Sequence, residues 1–145
     1  MATRTASAAK ASIVNIKSLR VGTWGVSSTF SIPAAQSISV TDVIQMIAVP
    51  KGAQVLFVGV SSTYDNCVIE VGDGLDDDRY INMASTSAAF AANNFGSSLA
   101  GNPNAPYTYS TDDTIDITVT LASVTTVLGA FYMTAILTMD PTQYN

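Results

Sequence analysis

The chain has no histidine, and its 145 residues include a single cysteine, Cys67. Without histidine the sequence has no imidazole to activate a serine or cysteine nucleophile, and it lacks the commonest metal ligand of proteins. One cysteine excludes an intrachain disulfide and leaves a structural zinc site without its thiolate ligands. Because Cys67 begins an apolar run at residues 67–69, we expect a small buried side chain there. The sequence therefore predicts a non-enzymatic protein without a cofactor.

Other absences argue against binding to nucleotides, nucleic acids and membranes. The chain has neither the Gly-x-Gly-x-x-Gly motif nor a P-loop, which removes support for nucleotide chemistry. It also has no basic patch with interleaved aromatic residues, so no nucleic-acid partner is expected. The longest apolar tract, residues 127–137, is interrupted by Gly129 and Thr134 and is far shorter than the roughly 20 residues that span a bilayer. We therefore expect no membrane association.

Charged residues are scarce, at 12% of the chain against about 25% in a typical globular protein. Serine and threonine replace them between the apolar positions, a composition that favours β structure. The charges are also unevenly placed. Residues 1–41 contain no acid, whereas residues 42–145 contain all 11 acids and only two basic residues, Lys51 and Arg79. This division predicts a basic extended N-terminal arm at residues 1–41 and a β-sandwich domain at residues 42–145.

Alternation of apolar and polar residues is the clearest pattern in the chain. Residues 115–121 alternate without a break, which predicts a half-buried antiparallel strand. Further strands are predicted at residues 43–49, 55–60, 67–71, 107–109 and 124–139. Roughly seven or eight short strands with Gly, Asn and Asp corners predict an all-β fold. Its expected architecture is an antiparallel β-sandwich, jelly-roll-like, with an extended N-terminal arm.

Local signals add detail to this prediction. Pro50 and Gly52 fit consecutive corners of a tight turn, so the strands on either side are expected to form a β-hairpin. Gly129 is expected to form a bulge in the last strand. Residues 83–106 are predicted to form a long surface loop, with one possible helical turn at residues 88–92.

An acidic cluster follows the third predicted strand and is the one candidate metal site. Asp73, Asp76 and Asp78 could supply carboxylate oxygens to Ca²⁺, although their spacing does not match that of an EF-hand. The alternative is a solvated turn in which Arg79 offsets part of the repulsion between carboxylates. We prefer the solvated turn and predict no resident metal.

Aromatic residues are the candidate carbohydrate-binding surface. Flat rings can cover the faces of sugars, and a tail or fibre component with a carbohydrate-binding β-sandwich is the alternative function. In a sandwich, most such rings instead lie in the core or in subunit contacts. The candidates are Trp24, Tyr64, Tyr80, Tyr107, Tyr109 and Tyr132.

Three stretches in order resemble a known family. They are VPKG at residues 49–52, VGDG to DRYI at residues 71–81, and DDTIDIT at residues 112–118. Together they resemble the small structural proteins of tailed phages that decorate or cement the head, over roughly residues 42–139. The resemblance implies a jelly-roll-like domain that assembles as a homotrimer and bridges neighbouring capsid subunits. It offers no catalytic residues.

The resemblance also implies a location and partners. We expect a protein made in the host bacterial cytoplasm and carried on the outer surface of the phage head, with the major capsid protein and other copies of itself as partners. The arm lies outside the resemblance, and its role is inferred from charge alone. Because no acid lies among the basic residues of the arm, we expect the arm to dock on an acidic neighbour. The candidate capsid or subunit contacts are Arg4, Lys10, Lys17, Arg20 and Trp24.

Overall fold

The computed structural model describes residues 2–6, 22–32, 37–64, 67–86, 91–92, 106–121 and 129–140. These residues form strands, turns and irregular segments, and no helix occurs among them, so none of them could cross a membrane as an apolar helix. The strands are β1 (Thr3–Thr5), β2 (Gly22–Ser31), β3 (Val43–Val49), β4 (Ala53–Ser62), β5 (Val68–Asp73), β6 (Asp76–Ser85), β7 (Ala91–Ala92), β8 (Tyr107–Thr108), β9 (Asp113–Leu121) and β10 (Ala130–Met139).

The strands pair into two sheets. Sheet I has the order β1-β3-β9-β5-β6, and sheet II has the order β2-β10-β4-β7 with β8 also paired to β4. Only β1 and β3 run parallel among the described pairs; the other pairs are antiparallel. The inner faces of both sheets contribute to one hydrophobic core. The predicted all-β antiparallel sandwich is therefore confirmed.

Period-two alternation explains how the long strands bury one face. In β10 every second residue from Phe131 to Met139 is buried, while Tyr132, Thr134 and Ile136 are exposed. In β9, Ile115, Ile117 and Val119 are buried as predicted, but Leu121 at the strand end is exposed and Asp116 is buried. Alternate side chains of a strand point to the same face of the sheet, but they are equally exposed only where that face is covered to the same extent along its length. The burial of Asp116 therefore shows that part of the outer face of sheet I is covered.

The predicted β3–β4 hairpin is wrong. β3 pairs with β1 and β9 in sheet I, whereas β4 pairs with β10 in sheet II. The corner between them, which contains Gly52 at a φ of 84°, carries the chain from one sheet to the other. The segment before β9 holds this corner: the Gly52 N–H donates to the Tyr109 carbonyl at 2.8 Å, and the Lys51 N–H donates to an Asp112 carboxylate oxygen at 2.7 Å.

Two other local predictions also differ from the structure. Gly129 precedes β10 instead of forming a bulge within it; the β4–β10 register shifts between Ile136 and Leu137. Ala91 and Ala92 form a strand paired to β4, not a helical turn. The predicted loop at residues 83–106 begins later than expected, because β6 continues to Ser85. Most of its remaining residues lie outside the described ranges.

The described parts of residues 1–41 belong to the sandwich rather than to a separate arm. β2 pairs with β10 along its whole length as the end strand of sheet II. β1 extends sheet I by pairing with β3, and the Ala6 N–H donates to the Gln45 carbonyl at 2.7 Å. Short apolar pieces between glycines can therefore form an edge strand when a long neighbour supplies the hydrogen bonds.

Candidate functional site

Arg4, a predicted contact residue, is bound within its own chain. Its guanidinium donates to an Asp42 carboxylate oxygen at 3.1 Å and to the Ser37 carbonyl at 2.9 Å. Asp42 also accepts the Ala2 N–H at 3.0 Å and the Ser39 N–H at 3.1 Å. Burial alone would raise the pKa of Asp42, but these backbone bonds and Arg4 lower it overall. Arg4 thus anchors β1 to β3.

The other predicted contact residues divide into two groups. Lys10, Lys17 and Arg20 lie outside the described residues. Trp24 lies on β2 opposite Leu137 of β10, where its half-buried ring packs against the core at the end of sheet II. Trp24 therefore packs against the core from the edge strand of sheet II.

Arg79 organises the β5–β6 hairpin. Its Nε donates to Asp73 Oδ2 at 2.6 Å, and its Nη1 lies 3.6 Å from Asp76 Oδ2. The guanidinium carbon lies 3.7 Å from the ring centroid of Tyr107, a cation–π contact. Burial alone would lower the pKa of Arg79, but the hydrogen bond and charge of Asp73 raise it overall. The hairpin is thus held by a buried ion pair, which the solvated-turn prediction did not include.

The Ca²⁺ candidates are only partly brought together. Asp76 and Asp78 lie with Asp77 in a group whose carboxylate oxygens are within 4.8 Å of one another. Asp73 has a different role: besides binding Arg79, its Oδ1 accepts the N–H groups of Leu75 and Asp76 at 3.0 and 3.1 Å. Burial raises the pKa of Asp76, and a hydrogen bond with Asp78 adds to this rise. The hairpin therefore concentrates acids, but Arg79 occupies the carboxylate that sequence placed first in the set.

A cleft of about 500 Å³ lies on the outer face of sheet I. On one side it is bordered by Val40 and Thr41, and on the other by the β5–β6 hairpin at Asp73, Gly74 and Asp77. Thr41 has a φ of 72°, a left-handed conformation that is unusual for a β-branched residue. The remaining lining comes from the adjacent strands: Val43, Asp116, Thr118, Val119 and Thr120.

Asp116 is the most unusual group that lines this cleft. It is only 7% exposed, and its Oδ1 has no hydrogen-bond partner in the structure. Burial raises the pKa of Asp116 to about 6. A hydrogen bond with Thr114 opposes this rise, while the charges of Asp113 and Asp73 add to it. Sequence analysis does not select Asp116 as a site residue, because its place in an alternating strand predicts a solvated side chain.

The outer face of sheet II has a different chemistry. In the register, Tyr132 and Ile136 of β10 are flanked by small or hydroxyl residues of β2, such as Thr29 and Gly25. Tyr132 and Ile136 are 43% and 38% exposed. Ser27 and Thr134 are joined by a hydroxyl–hydroxyl hydrogen bond of 2.9 Å across the strands. No charged side chain occurs in β2, β4 or β10, so the described part of this face is polar but uncharged.

The proposed sugar-stacking platform does not form. Tyr64, Tyr80 and Tyr109 are buried in the core, and Tyr80 donates to the hydroxyl of Tyr109 at 2.9 Å. Tyr107 lies under the Arg79 guanidinium, so Tyr132 is the one ring in the set that is exposed among the described residues.

Cys67 is buried as expected, and burial raises the pKa of its thiol to about 11, which disfavours the nucleophilic thiolate.

Solved structures with a similar fold include several from phage capsids. A chain of the cyanophage Pam1 capsid asymmetric unit has a TM-score of 0.62 and 19% identity, over 83% of this chain and 87% of that chain. A chain of the capsid of Ralstonia phage GP4 has a TM-score of 0.65 and 12% identity, over 95% and 98% respectively. A chain of the acid-stable capsid of Helicobacter pylori bacteriophage KHP30 has a TM-score of 0.53 and 13% identity, over 81% and 90%.

At these identities the likeness shows a shared fold. No protein-family model matches the chain, and no curated protein matches it in sequence.

Proposed function

We propose that this chain is a non-enzymatic structural protein of a phage virion, which decorates the outer surface of the head and stabilises the shell. Its partners are the major capsid protein and further copies of itself, as a homotrimer. The observation that carries the proposal is the fold: chains from three phage capsids align with between 81% and 95% of this chain. The chemistry is consistent with this role, because a chain without histidine and with a buried thiol lacks the Ser-His and Cys-His pairs that activate nucleophiles.

The outer face of sheet II supports the proposal as a packing surface. Charged residues are depleted from the cores of protein interfaces, where aromatic residues are enriched. This face presents Tyr132 and Ile136 among hydroxyl groups and carries no charge on its described strands. The acidic hairpin, in contrast, lies in sheet I. We assign the sheet II face, together with the edge near Trp24, to contacts with neighbouring subunits.

The basic residues Lys10, Lys17 and Arg20 form the second part of the proposed attachment. They are not matched by any acid in residues 1–41, so they suit an acidic surface on a neighbouring capsid subunit. Arg4 is excluded from this set, because Asp42 already binds it within the chain.

The test uses phage heads from which the chain has been removed genetically. Purified full-length protein is added back, and cryo-electron microscopy measures where it binds and how many sites it fills. We expect ordered occupancy on the outside of the head. Light scattering of the free protein measures whether it is trimeric. The absence of rebinding, or density on the tail alone, would overturn the proposal.

Charge variants test the basic part of the proposed attachment. Charge reversal at Lys10, Lys17 and Arg20 leaves β1 and its Arg4–Asp42 bond in place, and we expect weaker attachment with a smaller dependence on salt. The three reversals are also made singly, and Lys51→Glu is the control with the same change in charge as each of them, because Lys51 is an exposed base at the corner between β3 and β4. If reversal at the three positions changed attachment no more than Lys51→Glu, the basic residues would have no role in attachment.

A further inference from the structure

The cleft on sheet I contains a buried acid that the proposed capsid role does not use. Asp116 is 7% exposed and its Oδ1 accepts no hydrogen bond. A buried polar atom without a partner is costly, and such atoms in a folded protein call for an explanation. Because Asp116 borders the cleft, a molecule that enters the cleft could supply the missing donor.

Nearby charges leave the cleft acidic. Asp73 and Asp77 also border it, and Asp113 lies close enough to influence Asp116. Arg79 is the basic residue of this region, and it is bound to Asp73 and Asp76. On the flanking strands, Asp116 lies opposite Gln45 of β3 and Gly72 of β5, neither of which carries charge. The cleft therefore favours a cation.

The shape and walls of the cleft distinguish between types of cation. Ca²⁺ takes six to eight oxygen ligands at short range, whereas this cleft measures about 500 Å³ and includes Val40 and Val43 in its lining. Asp73 would be a poor ligand, since Arg79 and two backbone N–H groups already occupy its oxygens. Lysine and arginine side chains instead place an aliphatic stem along apolar surface and a charged head at a polar group.

We propose that this cleft binds a lysine or arginine side chain of a partner protein, with the aliphatic stem against Val40 and Val43 and the charged head on Asp116. Asp116 supplies the acceptor and Asp77 adds negative charge at the rim. The head group donates to the carboxylate, which must be ionised to form a charge-assisted bond. Binding should therefore weaken in acid as Asp116 takes up a proton. The proposal holds whether or not the chain is a virion protein.

The experiment uses the full-length protein with ¹³C-labelled valine methyl groups, observed by NMR. The probes are N-acetyl-arginine methylamide and N-acetyl-lysine methylamide, and the uncharged comparison is N-acetyl-norleucine methylamide. We expect the methyl signals of Val40 and Val43 to shift with at least one basic probe and much less with the norleucine compound. Lowering the pH below the pKa of Asp116, about 6, should reduce the affinity.

Two variants make the test specific. Asp116→Asn should weaken binding of the basic probe about tenfold or more, as expected for loss of a hydrogen bond between charged groups. Asp78→Asn is the matched control, since it also removes one negative charge, from the β5–β6 hairpin beside the cleft, at a residue that does not line the cleft; its affinity should change less than about twofold. Circular dichroism verifies that both variants are folded.

Several outcomes would overturn the proposal. Equal shifts with the norleucine compound would mean a simple apolar pocket. Equal weakening by Asp116→Asn and Asp78→Asn would mean non-specific attraction to the acidic hairpin. Shifts produced by CaCl₂ and lost in Asp116→Asn, with none from the basic probes, would mean a metal site. A wild-type protein whose valine signals respond to no probe would mean that the cleft is not a binding site of this kind.

Discussion

Replacing Asp116 with asparagine should stabilise the fold near neutral pH. Burial raises the pKa of Asp116 from 3.8 to about 6. A rise of this size corresponds to about 3 kcal/mol of unfavourable free energy for the ionised form in the folded state. Asparagine is similar in shape and carries no charge, so it avoids this cost, although its contact with Thr114 differs. We expect a net gain of roughly 1–3 kcal/mol in the free energy of unfolding at neutral pH.

The direction of the Asp116 pKa shift determines how the effect of this substitution on the free energy of unfolding varies with pH. Because the folded-state pKa is raised, folded Asp116 keeps its proton between pH 3.8 and about 6 while the unfolded chain releases it. The contribution of Asp116 to the wild-type free energy of unfolding should therefore fall as pH rises through this window, and the loss should be constant above it. Asparagine does not titrate, so the advantage of Asp116→Asn should grow through the same window. In acid the two proteins should be nearly equal in stability.

Urea unfolding measured at several pH values between about 4 and about 7.5 tests this expectation. Asp140→Asn serves as the control, since Asp140 is exposed at the end of β10. If Asp116→Asn destabilised the protein at neutral pH, or if its effect were the same at every pH, then the ionised Asp116 carboxylate would be well satisfied and the reasoning about the cleft would be wrong.

The remaining predictions concern the sandwich and its N-terminal strand. Gly72→Ala should cost about 3 kcal/mol or more in urea unfolding, because an added Cβ would clash with the carbonyl of Asp76 and the backbone of Asp77. Gly25→Ala, whose nearest contact is at 4.0 Å, should be nearly neutral. Asp42→Asn should speed hydrogen exchange of the β1 amides about tenfold or more, because hydrogen bonds to charged groups contribute roughly 1.5–3 kcal/mol; unchanged exchange would contradict the anchor. Arg79→Lys should cost about 2 kcal/mol, since lysine cannot reproduce the guanidinium geometry; a stability equal to wild type would refute that role.

Strand positions were predictable where one face of a strand is buried and the other solvated. β3 occupies the residues expected from its apolar run, and β10 alternates along its length. The partner of each strand was less predictable. Pro50 and Gly52 mark a corner in either topology, but a corner does not encode whether the next strand stays in the same sheet. That choice depends on the long-range pairing of β4 with β10.

The N-terminal segment shows a similar limit. The absence of acids in residues 1–41 correctly marks a change in composition, and it suggested that the basic residues act on other molecules. In the structure the first basic residue, Arg4, pairs with the first acid, Asp42, across 38 positions of sequence. The acid that ends the acid-free segment is therefore the residue that binds the start of that segment. Charge separation along a chain predicts that opposite charges can attract, but it does not indicate whether they do so within one molecule.

Asp116 was unpredictable for a physical reason that also explains its interest. Alternation assigns a strand residue to a face, and polar residues at alternate positions normally face water. Here the outer face of sheet I carries a cleft that is bordered by Val40 and Thr41 and by the β5–β6 hairpin. Burial in this cleft removes the Asp116 carboxylate from water, but its Oδ1 accepts no hydrogen bond. Asp42 and Asp73, in contrast, accept hydrogen bonds from backbone N–H groups and arginine side chains. In the free protein this buried acid lowers the free energy of unfolding when it is ionised, and the proposed lysine or arginine side chain would offset that cost by pairing with the carboxylate.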